Sequence, residues 1–388
     1  MTQVEPASIP GESPVRIFLR FLRFGLLAWG GPVAQIAMIR QELVEEERWV
    51  TNERFNRVLA VYQVLPGPEA HELCVYFGMM AGGRLGAVLA GLAFMLPGFI
   101  LMLALSWFYV RYGITSPIFS AVFYGFQASI GALIVRAVHR IGEHALHDGW
   151  LWGIAILSAV AKFLNINFIL ALVAGGLLYA AARRQVNAAT LNLILLPVTG
   201  ISLALAAGQP TSLELFGYGL RTGLLTFGGA YTAIPFLQQD AVVNGAWMTD
   251  RQFLDGLALS SILPAPLIIF STFVGYLGNG WPGAVTITLG VFLPAFLFTL
   301  IGHSFFERMI EDKRLHAFLD GVTAGVVGLI GATALQLLFV ALPDIPAVLI
   351  FIFSLIAVYR WKAKAAIAVI VLTAGLLGLL VNTLLWVD

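Results

Sequence analysis

Charged residues and cysteine are both scarce in this chain of 388 residues. Asp, Glu, Lys and Arg together make up 11% of the sequence, against about 25% in a typical soluble domain. The single cysteine, Cys74, excludes an intrachain disulfide framework and a metal site built on cysteines. The net charge of +1 carries no signal for nucleic acid, and no basic cluster with interleaved aromatic residues appears. We therefore expect no nucleic-acid partner.

Enzyme motifs are also missing. The sequence has no nucleophile elbow, no Walker loop and no His-x-x-x-His or Cys-x-x-Cys pair. We therefore predict that the protein is not an enzyme and that it needs no cofactor or bound metal. His139, His144 and His147 lie near Asp148 and have the spacing of a weak metal site, but a solvated loop is the favoured interpretation.

Hydrophobic residues are abundant, at 59% of the chain, which is more than one soluble core could bury. They form apolar runs separated by short charged or Pro/Gly-rich segments, as in a polytopic helical protein whose solvent is the lipid bilayer. The first fifteen residues are polar and rich in Pro and Ser, without the basic and apolar regions of a signal peptide. We predict an all-α integral membrane protein with a disordered N-terminal tail at residues 1–15.

One series of residues occurs twice, with a constant offset of 198 positions. Gly30-Gly31 recurs as Gly228-Gly229, and Pro66-Gly67-Pro68 recurs as Pro264-Ala265-Pro266. Trp49, Thr51 and Phe55 recur at the same offset as Trp247, Thr249 and Phe253. A constant offset over more than forty residues indicates a tandem duplication. The predicted organisation is a first repeat at residues 16–188, a connector helix at 189–210 and a second repeat at 211–388.

The connector predicts how the two repeats are oriented. Each repeat contains six apolar segments, and the unpaired segment Leu191–Ala206 adds a seventh before the second repeat begins. An odd number of crossings turns the second repeat over, which gives an inverted-topology pair. With the N-terminus in the cytoplasm, most basic residues fall in cytoplasmic loops, as the positive-inside rule requires. Re-entrant segments on either side of the first repeat's polar stretch, Arg40 to Arg57, would change the number of membrane crossings from odd to even or back.

The repeated Gly and Pro motifs interrupt apolar runs, and we predict that they build the substrate site. A helix in lipid must satisfy its own backbone hydrogen bonds. Where the helix is broken, the freed N–H and C=O groups need protein, water or a ligand as a hydrogen-bond partner. The N-terminus of a half-helix offers free N–H groups and a positive dipole end, which suit an anion. The alternative is that these are ordinary packing or kink residues. The predicted substrate-binding set is Gly30, Gly31, Pro66, Gly67, Gly228, Gly229, Pro264 and Ala265.

Two arginines occupy matching positions seven residues before each Gly-Gly pair. Arg23 and Arg221 would each place a charge in or near an apolar segment, which is costly and suggests a function. Arginine also suits a tetrahedral oxyanion because its guanidinium donates two parallel hydrogen bonds. We add both to the predicted substrate site. The alternative for Arg23 is an interfacial arginine whose side chain snorkels towards water.

The repeats differ just after the Pro-x-Pro motif. Glu69, His71 and Glu72 follow Pro68, whereas the matching positions after Pro266 are apolar. Glu69 and Glu72 share one helix face, and carboxylates beside an anion site would have to be protonated to avoid repulsion. These three residues are predicted proton-coupling candidates. The alternative is a solvated helix start, where acidic residues interact well with the helix dipole.

Several stretches resemble the chromate transporter family. They are FGLLAWGGPVAQIAM, LPGPEAHEL and FMLPGFILM in the first half, and LLTFGGAYTAIPFL and ILPAPLIIFSTFVGYLG in the second. The second half departs from the pattern at Ala265 and at Ala230, and the position of His71 is more usually Gln in the family. The similarity covers nearly the whole chain and is identified by motifs that occur twice in the correct order.

The resemblance implies a function. It predicts a secondary transporter in the bacterial inner membrane that exports chromate, using the energy of an ion gradient, and so confers chromate resistance. The alternatives are a transporter of sulfate or another oxyanion and a passive anion channel; the lack of a paired nucleophile and base argues against a membrane-embedded enzyme. The sequence leaves the coupling ion, the direction and the oligomeric state open, a homodimer included.

Overall fold

A computed structural model describes residues 11–113, 116–183, 209–310, 313–361, 363 and 365–385. Every regular element in these ranges is helical, which confirms the predicted all-α class. The first half contains π-helical turns at Gln41–Glu46 and Tyr109–Gly113. Its α-helices are α1 (Pro14–Leu26), α2 (Gly31–Arg40), α3 (Asn52–Val64), α4 (Glu69–Phe108), α5 (Pro117–Ala145), α6 (Gly149–Phe163) and α7 (Phe168–Ala182).

The second half repeats this order of elements. A π-helical turn at Gln239–Asn244 matches Gln41–Glu46 at the same offset as the glycine pairs, and short 3-10 segments cover Ala230–Ala233 and Leu267–Phe270. The α-helices are α8 (Ser212–Leu225), α9 (Ile234–Gln238), α10 (Asp250–Ser261), α11 (Ser271–Ile310), α12 (Lys313–Ala341), α13 (Ile345–Arg360) and α14 (Ala366–Leu385). The predicted connector segment, residues 191–206, and most of the predicted N-terminal tail lie outside the described residues.

Two helices, α3 and its counterpart α10, were not predicted from the sequence. The residues at 40–57 indicate only a polar stretch, because this part of the chain is rich in Arg and Glu. In the structure Thr51 accepts a hydrogen bond from the N–H of Arg54 and begins α3. Thr249 begins α10 in the same way, through the N–H of Gln252. Since such caps stabilise a helix start, the matching threonines explain why both polar stretches become helical.

The longest helices, α4 and α11, are hairpins of two arms rather than straight rods. Gly82 and Gly83 leave the helical conformation inside α4, and the carbonyl oxygen of Gly78 lies 2.2 Å from the position of a Cβ built on Gly86. In α11 the hydroxyls of Thr272 and Thr288 are hydrogen-bonded at 2.8 Å. Residues sixteen apart in a straight helix would be about 24 Å apart. The chain therefore turns back in both halves.

Five of the described helical stretches are long and apolar enough to cross a membrane, judged by length and composition. They are Glu69–Gly113, Pro117–Ala145, Leu267–Ile301, His316–Ala341 and Ala366–Leu384. Three shorter apolar helices accompany them: Gly149–Phe163, Phe168–Ala182 and Ile345–Arg360. The first arm of α4, residues 69–81, is roughly 20 Å long, whereas the apolar core of a bilayer is about 30 Å thick. This arm is too short to cross alone, as expected of an interrupted span.

The two halves pack against each other reciprocally. Helix α5 of the first half packs on α13 and α14 of the second, and α12 of the second half packs on α6 and α7 of the first. A Cβ built on Gly125 would lie 1.9 Å from the carbonyl oxygen of Ala374, and one on Gly321 would lie 2.5 Å from that of Gly175. Contacts in which each half offers the same surface to the other are typical of a two-fold arrangement.

The second arm of α4, residues 84–108, crosses the second half near the predicted site. Gly98 on this arm lies against Ala265, and Tyr109, just beyond the end of the arm, contacts the ring of Phe273 with ring centroids 5.0 Å apart. The residue numbers rise together, so this arm runs in the same direction as the first arm of α11. Because the arms of a hairpin are antiparallel, it runs opposite to the second arm of α11.

Candidate functional site

The two Gly-Gly breaks have the backbone conformations that glycine favours. The φ angles are 89° at Gly30, 77° at Gly31, 75° at Gly228 and 111° at Gly229, a region that side-chain-bearing residues rarely adopt. A Cβ built on Gly31, Gly228 or Gly229 would meet no atom within 4 Å. The glycines at these three positions are therefore required by backbone conformation, and they face open space rather than a tightly packed neighbour.

The Pro-Gly-Pro break of the first half meets the Gly-Gly break of the second. The N–H of Gly67 donates a hydrogen bond of 2.9 Å to the carbonyl oxygen of Thr226, which follows α8 and precedes Gly228-Gly229. Gly67 has a φ of 152° and lies close to the carboxylate of Glu72. This backbone contact ties together two of the four predicted breaks.

The other two breaks meet at a small cavity of about 30 Å³. The Gly-Gly break of the first half forms one wall, and the Pro-Ala-Pro break of the second half forms another. The arrangement thus mirrors the contact between Gly67 and Thr226. The lining residues are Trp29, Gly30, Gly31, Pro32, Tyr231, Ser260, Ser261, Leu263, Ala265, Leu267, Ile367 and Ala368.

The cavity offers neutral hydrogen-bond donors. The Ser260 hydroxyl donates to the carbonyl oxygen of Leu267 at 2.9 Å, and the Ser261 hydroxyl donates to that of Leu257 at 2.8 Å. Both hydroxyls can rotate towards a bound ion. Helix α2 begins at Gly31 and contributes its N-terminal N–H groups and positive dipole end. No charged side chain is among the described residues that line the cavity.

Positive charge lies further out, on α5. Arg136 and Arg140 are within electrostatic range of the Tyr231 side chain, and Arg140 is also within range of Glu69. Arg136 is half-buried and Arg140 is exposed. These two arginines give the cavity a favourable field for an anion without direct contact.

The predicted proton-coupling residues lie between the halves, beside the Gly67 break. His71 and Glu72 are fully buried, whereas Glu69 is half-buried. The His71 ring packs against Phe292 and Phe296 of the second half, with centroids 5.0 and 4.8 Å away. Neither carboxylate oxygen of Glu72 has a hydrogen-bond partner among the described residues. These positions differ from a solvated helix start, but the proton-coupling role stays a prediction.

Arg23 and Arg221 are each paired with an acidic residue at matching positions. Arg23 bonds to Glu42 and Arg221 to Asp240, and both acids lie in the repeated π-helical turn. The Arg23 side chain is 55% exposed, whereas that of Arg221 is 10% exposed and lies over the rings of Phe168 and Tyr218. Neither arginine lines the cavity. Their role in substrate binding therefore stays a prediction, and any such role involves exchanging a carboxylate for the substrate.

The structure thus brings some predicted site residues together and leaves others apart. Gly30, Gly31 and Ala265 share one cavity, with Pro264 adjacent in sequence, and Gly67 contacts the segment that leads to Gly228-Gly229. Other lining residues were not predicted from the sequence, namely Trp29, Tyr231, Ser260 and Ser261. A signal was present for the serines, since they come directly before the second Pro-x-Pro motif. His139 and His144 lie on α5 rather than in the predicted loop: His139 bonds to the Tyr359 hydroxyl and His144 to the carbonyl oxygen of Arg140. No group that could hold a metal exists among the described residues.

Comparison with known proteins identifies relatives over nearly the whole chain. The sequence profile of the family described as "Chromate transporter" matches residues 15–180 and 213–379, once in each half. A "Chromate transport protein" of Pseudomonas aeruginosa is 56% identical over 389 residues, covering 96% of this chain and 93% of that protein. Another of the same name from Cupriavidus metallidurans is 32% identical over 381 residues, covering 95% and 94%. No solved structure matches the chain.

Proposed function

Because the chain belongs to the chromate transporter family, we propose that it exports chromate across the inner membrane and that the four helix breaks form the transport site. The observation that carries this proposal is the pairing of breaks between the halves. Gly67 contacts Thr226 beside one Gly-Gly pair, and the other Gly-Gly pair shares a cavity with Ala265. Interrupted helices at the interface of two repeats are where secondary transporters bind their substrates.

The cavity suits a tetrahedral oxyanion by its chemistry. Ser260 and Ser261 at the end of α10, Tyr231 in the Ala230–Ala233 segment and the N-terminus of α2 surround the cavity from three elements, so that donors can reach several oxygens of one ion. Neutral donors of this kind stabilise an anion without holding it so tightly that release becomes slow. At about 30 Å³ the cavity has room for one or two water molecules. The breaks therefore move apart to admit the larger ion.

Two inverted repeats allow the movement that opens the site. The second arms of α4 and α11 run in opposite directions, which supports two repeats related by an axis in the membrane plane. In such a fold, rocking one half against the other opens the site to one side of the membrane at a time. Such rocking would change the contact of Gly67 with Thr226 and the cavity that Gly30-Gly31 shares with Ala265.

The membrane potential favours export of a divalent anion. Moving one charge through 100 mV is worth about 2.3 kcal/mol, so two charges contribute about 4.6 kcal/mol. Coupling to protons, for which Glu69, His71 and Glu72 were predicted, adds to this driving force in an antiporter, where protons enter as chromate leaves, and subtracts from it in a symporter, where both leave together. Export of chromate would make cells that contain the protein more tolerant of chromate.

Radiotracer flux into inverted membrane vesicles tests the proposal. Labelled chromate should enter inverted vesicles that contain the protein, faster with the lumen electrically positive than without a potential. Setting the pH gradient separately from the voltage distinguishes coupled transport from a passive channel, since flux that follows voltage alone favours the channel. Unlabelled sulfate as competitor establishes whether the site discriminates between two divalent tetrahedral anions. Absence of chromate flux under every condition contradicts the proposal.

A further inference from the structure

A buried carboxylate joins the two halves at some distance from the predicted coupling residues. Asp255, on α10 of the second half, is 5% exposed. Its Oδ2 accepts a hydrogen bond of 2.7 Å from the Tyr109 hydroxyl, and its Oδ1 accepts one of 2.8 Å from Nε2 of Gln127. Both partners belong to the first half. A charge buried in a membrane protein is costly unless it is compensated, so its retention suggests a function.

The partners of Asp255 allow it to be either charged or neutral. A tyrosine hydroxyl can donate or accept a hydrogen bond, and a glutamine amide can turn to present either its NH₂ or its carbonyl oxygen. When Asp255 gains a proton on one oxygen, that oxygen donates to the partner that had donated to it. Asp240 is different, because it is bonded to the permanently charged Arg221. Of these two buried aspartates, only Asp255 has partners suited to both protonation states.

Few ionisable groups face Asp255 from the surrounding elements. The electrostatic neighbours of its carboxylate are Tyr109 and, one turn earlier on α10, Arg251, which is exposed. The Leu267–Phe270 segment and α14, which both pack on α10, contain no charged residue in their described ranges. The α5 face contributes the neutral Gln127. Among the described side chains of α4, α11 and α12, no charged residue is an electrostatic neighbour of Asp255, and aromatic rings such as Phe273 occupy the region near Tyr109.

Helix α10 connects Asp255 to the cavity. Ser260 and Ser261, at the end of the same helix, line the cavity, and Ser260 lies about 7.5 Å further along the axis. A rotation or shift of α10 that accompanies a change at Asp255 therefore moves two of the hydroxyls proposed to bind the ion. At such a distance the carboxylate charge also repels a divalent anion directly.

We propose that Asp255 is the proton-binding site linked to the oxyanion cavity, with Tyr109 and Gln127 as its positioning residues. The inference rests on the proposed transport function and names its coupling ion and coupling residue. A proton from water binds one carboxylate oxygen, the local charge becomes zero, and the oxyanion binds more tightly. Linkage is reciprocal, so binding of the oxyanion must draw a proton onto Asp255.

The proposal predicts how oxyanion affinity depends on pH. Because the protonated state of Asp255 binds the oxyanion more tightly, the affinity is highest at low pH and falls as pH rises through the titration of Asp255. The expected decrease is roughly tenfold or more, given a divalent ion and a full charge within about 10 Å. Asp255→Asn keeps hydrogen-bonding groups at this position but cannot titrate. Its chromate affinity should therefore not fall in this way as pH rises.

The test measures chromate affinity against pH, and proton uptake on chromate binding, in the purified full-length protein with a pH-indicator dye. The parent should take up protons on adding chromate, and Asp255→Asn should bind chromate with no uptake beyond that due to the ion's own titration. Asp320→Asn, which removes a half-buried carboxylate on α12, serves as the matched control and should keep the uptake, and Glu72→Gln tests the other predicted coupling site. Uptake that persists in Asp255→Asn, or that disappears only in Glu72→Gln, overturns the proposal. If the parent binds no chromate, the transport function itself is wrong.

A second variant keeps the test decisive if Asp255→Asn folds poorly. Tyr109→Phe removes a donor that stabilises the charged carboxylate, so the midpoint of the pH profile should move to higher pH. One lost hydrogen bond of ordinary strength corresponds to a shift of about one pH unit. A purely structural network would lower thermal stability without moving this midpoint, and an unmoved midpoint in a folded Tyr109→Phe protein contradicts the proposal.

Discussion

Gly31 and Gly153 differ in one property that a substitution can isolate. A Cβ at either position would meet no atom within 4 Å, but only Gly31 has a positive φ, of 77°. We expect Gly31→Val to insert into the membrane and to lose chromate transport, because a β-branched residue resists this conformation. Gly153→Val, within α6, should transport normally. The measurement is chromate flux into inverted vesicles, normalised to inserted protein. Full activity in Gly31→Val would show that transport does not require a positive φ at this break.

A test of Arg221 in chromate binding requires a double variant, because Arg221 is already bonded to Asp240. Arg221→Gln leaves Asp240 buried without its cation, an imbalance that typically destabilises a protein by about 3–5 kcal/mol. Arg221→Gln together with Asp240→Asn should recover much of this stability. If Arg221 exchanges Asp240 for chromate, the double variant still binds chromate about ten- to a hundredfold more weakly than the parent. Equal affinity in a well-folded double variant would make the pair a structural link. Arg23→Gln, at the exposed matching position, serves as the comparison.

At the level of elements, the helix breaks and the segment order could be predicted, because Gly and Pro act locally. The meeting of particular breaks could not, since it depends on packing between residues far apart in sequence. Tyr231 and Ser260 reach the Gly30 break only through the crossing of the halves. The pairing of Arg221 with Asp240 also escaped prediction, because it depends on a π-helical turn with no clear sequence signal.

The reciprocal contact of α5 and α12 with the other half gives a test of packing. Gly125→Ala would place a methyl group 1.9 Å from the carbonyl oxygen of Ala374, and Gly321→Ala would place one 2.5 Å from that of Gly175. Each should lower the free energy of unfolding by about 1–3 kcal/mol, since overpacking forces helices apart. At Gly331 the nearest atom is 3.9 Å away, so Gly331→Ala should be tolerated. Thermal unfolding in detergent, followed by tryptophan fluorescence, compares the three, and equal stability would contradict close packing at these helices.

For the whole molecule, the decisive question is whether the repeats are inverted. Glu53 and Arg251 occupy matching positions 198 residues apart, near the starts of α3 and α10, and both are exposed. In repeats of the same orientation they face one side of the membrane, whereas in inverted repeats they face opposite sides. The opposed second arms of α4 and α11 favour the second arrangement.

The single cysteine makes this measurable, because Cys74 is buried and its replacement by alanine gives a cysteine-free background. Glu53→Cys and Arg251→Cys, made separately in that background, should react with a membrane-impermeant maleimide from opposite sides, one in right-side-out and the other in inverted vesicles. Permeabilised vesicles give the total reactive thiol for each variant, and chromate flux verifies that each protein is functional. Labelling of both positions from the same side would contradict an inverted arrangement of the repeats. It would also contradict alternating access by rocking of two oppositely oriented halves. The breaks would then have to open to the two sides of the membrane by separate local movements.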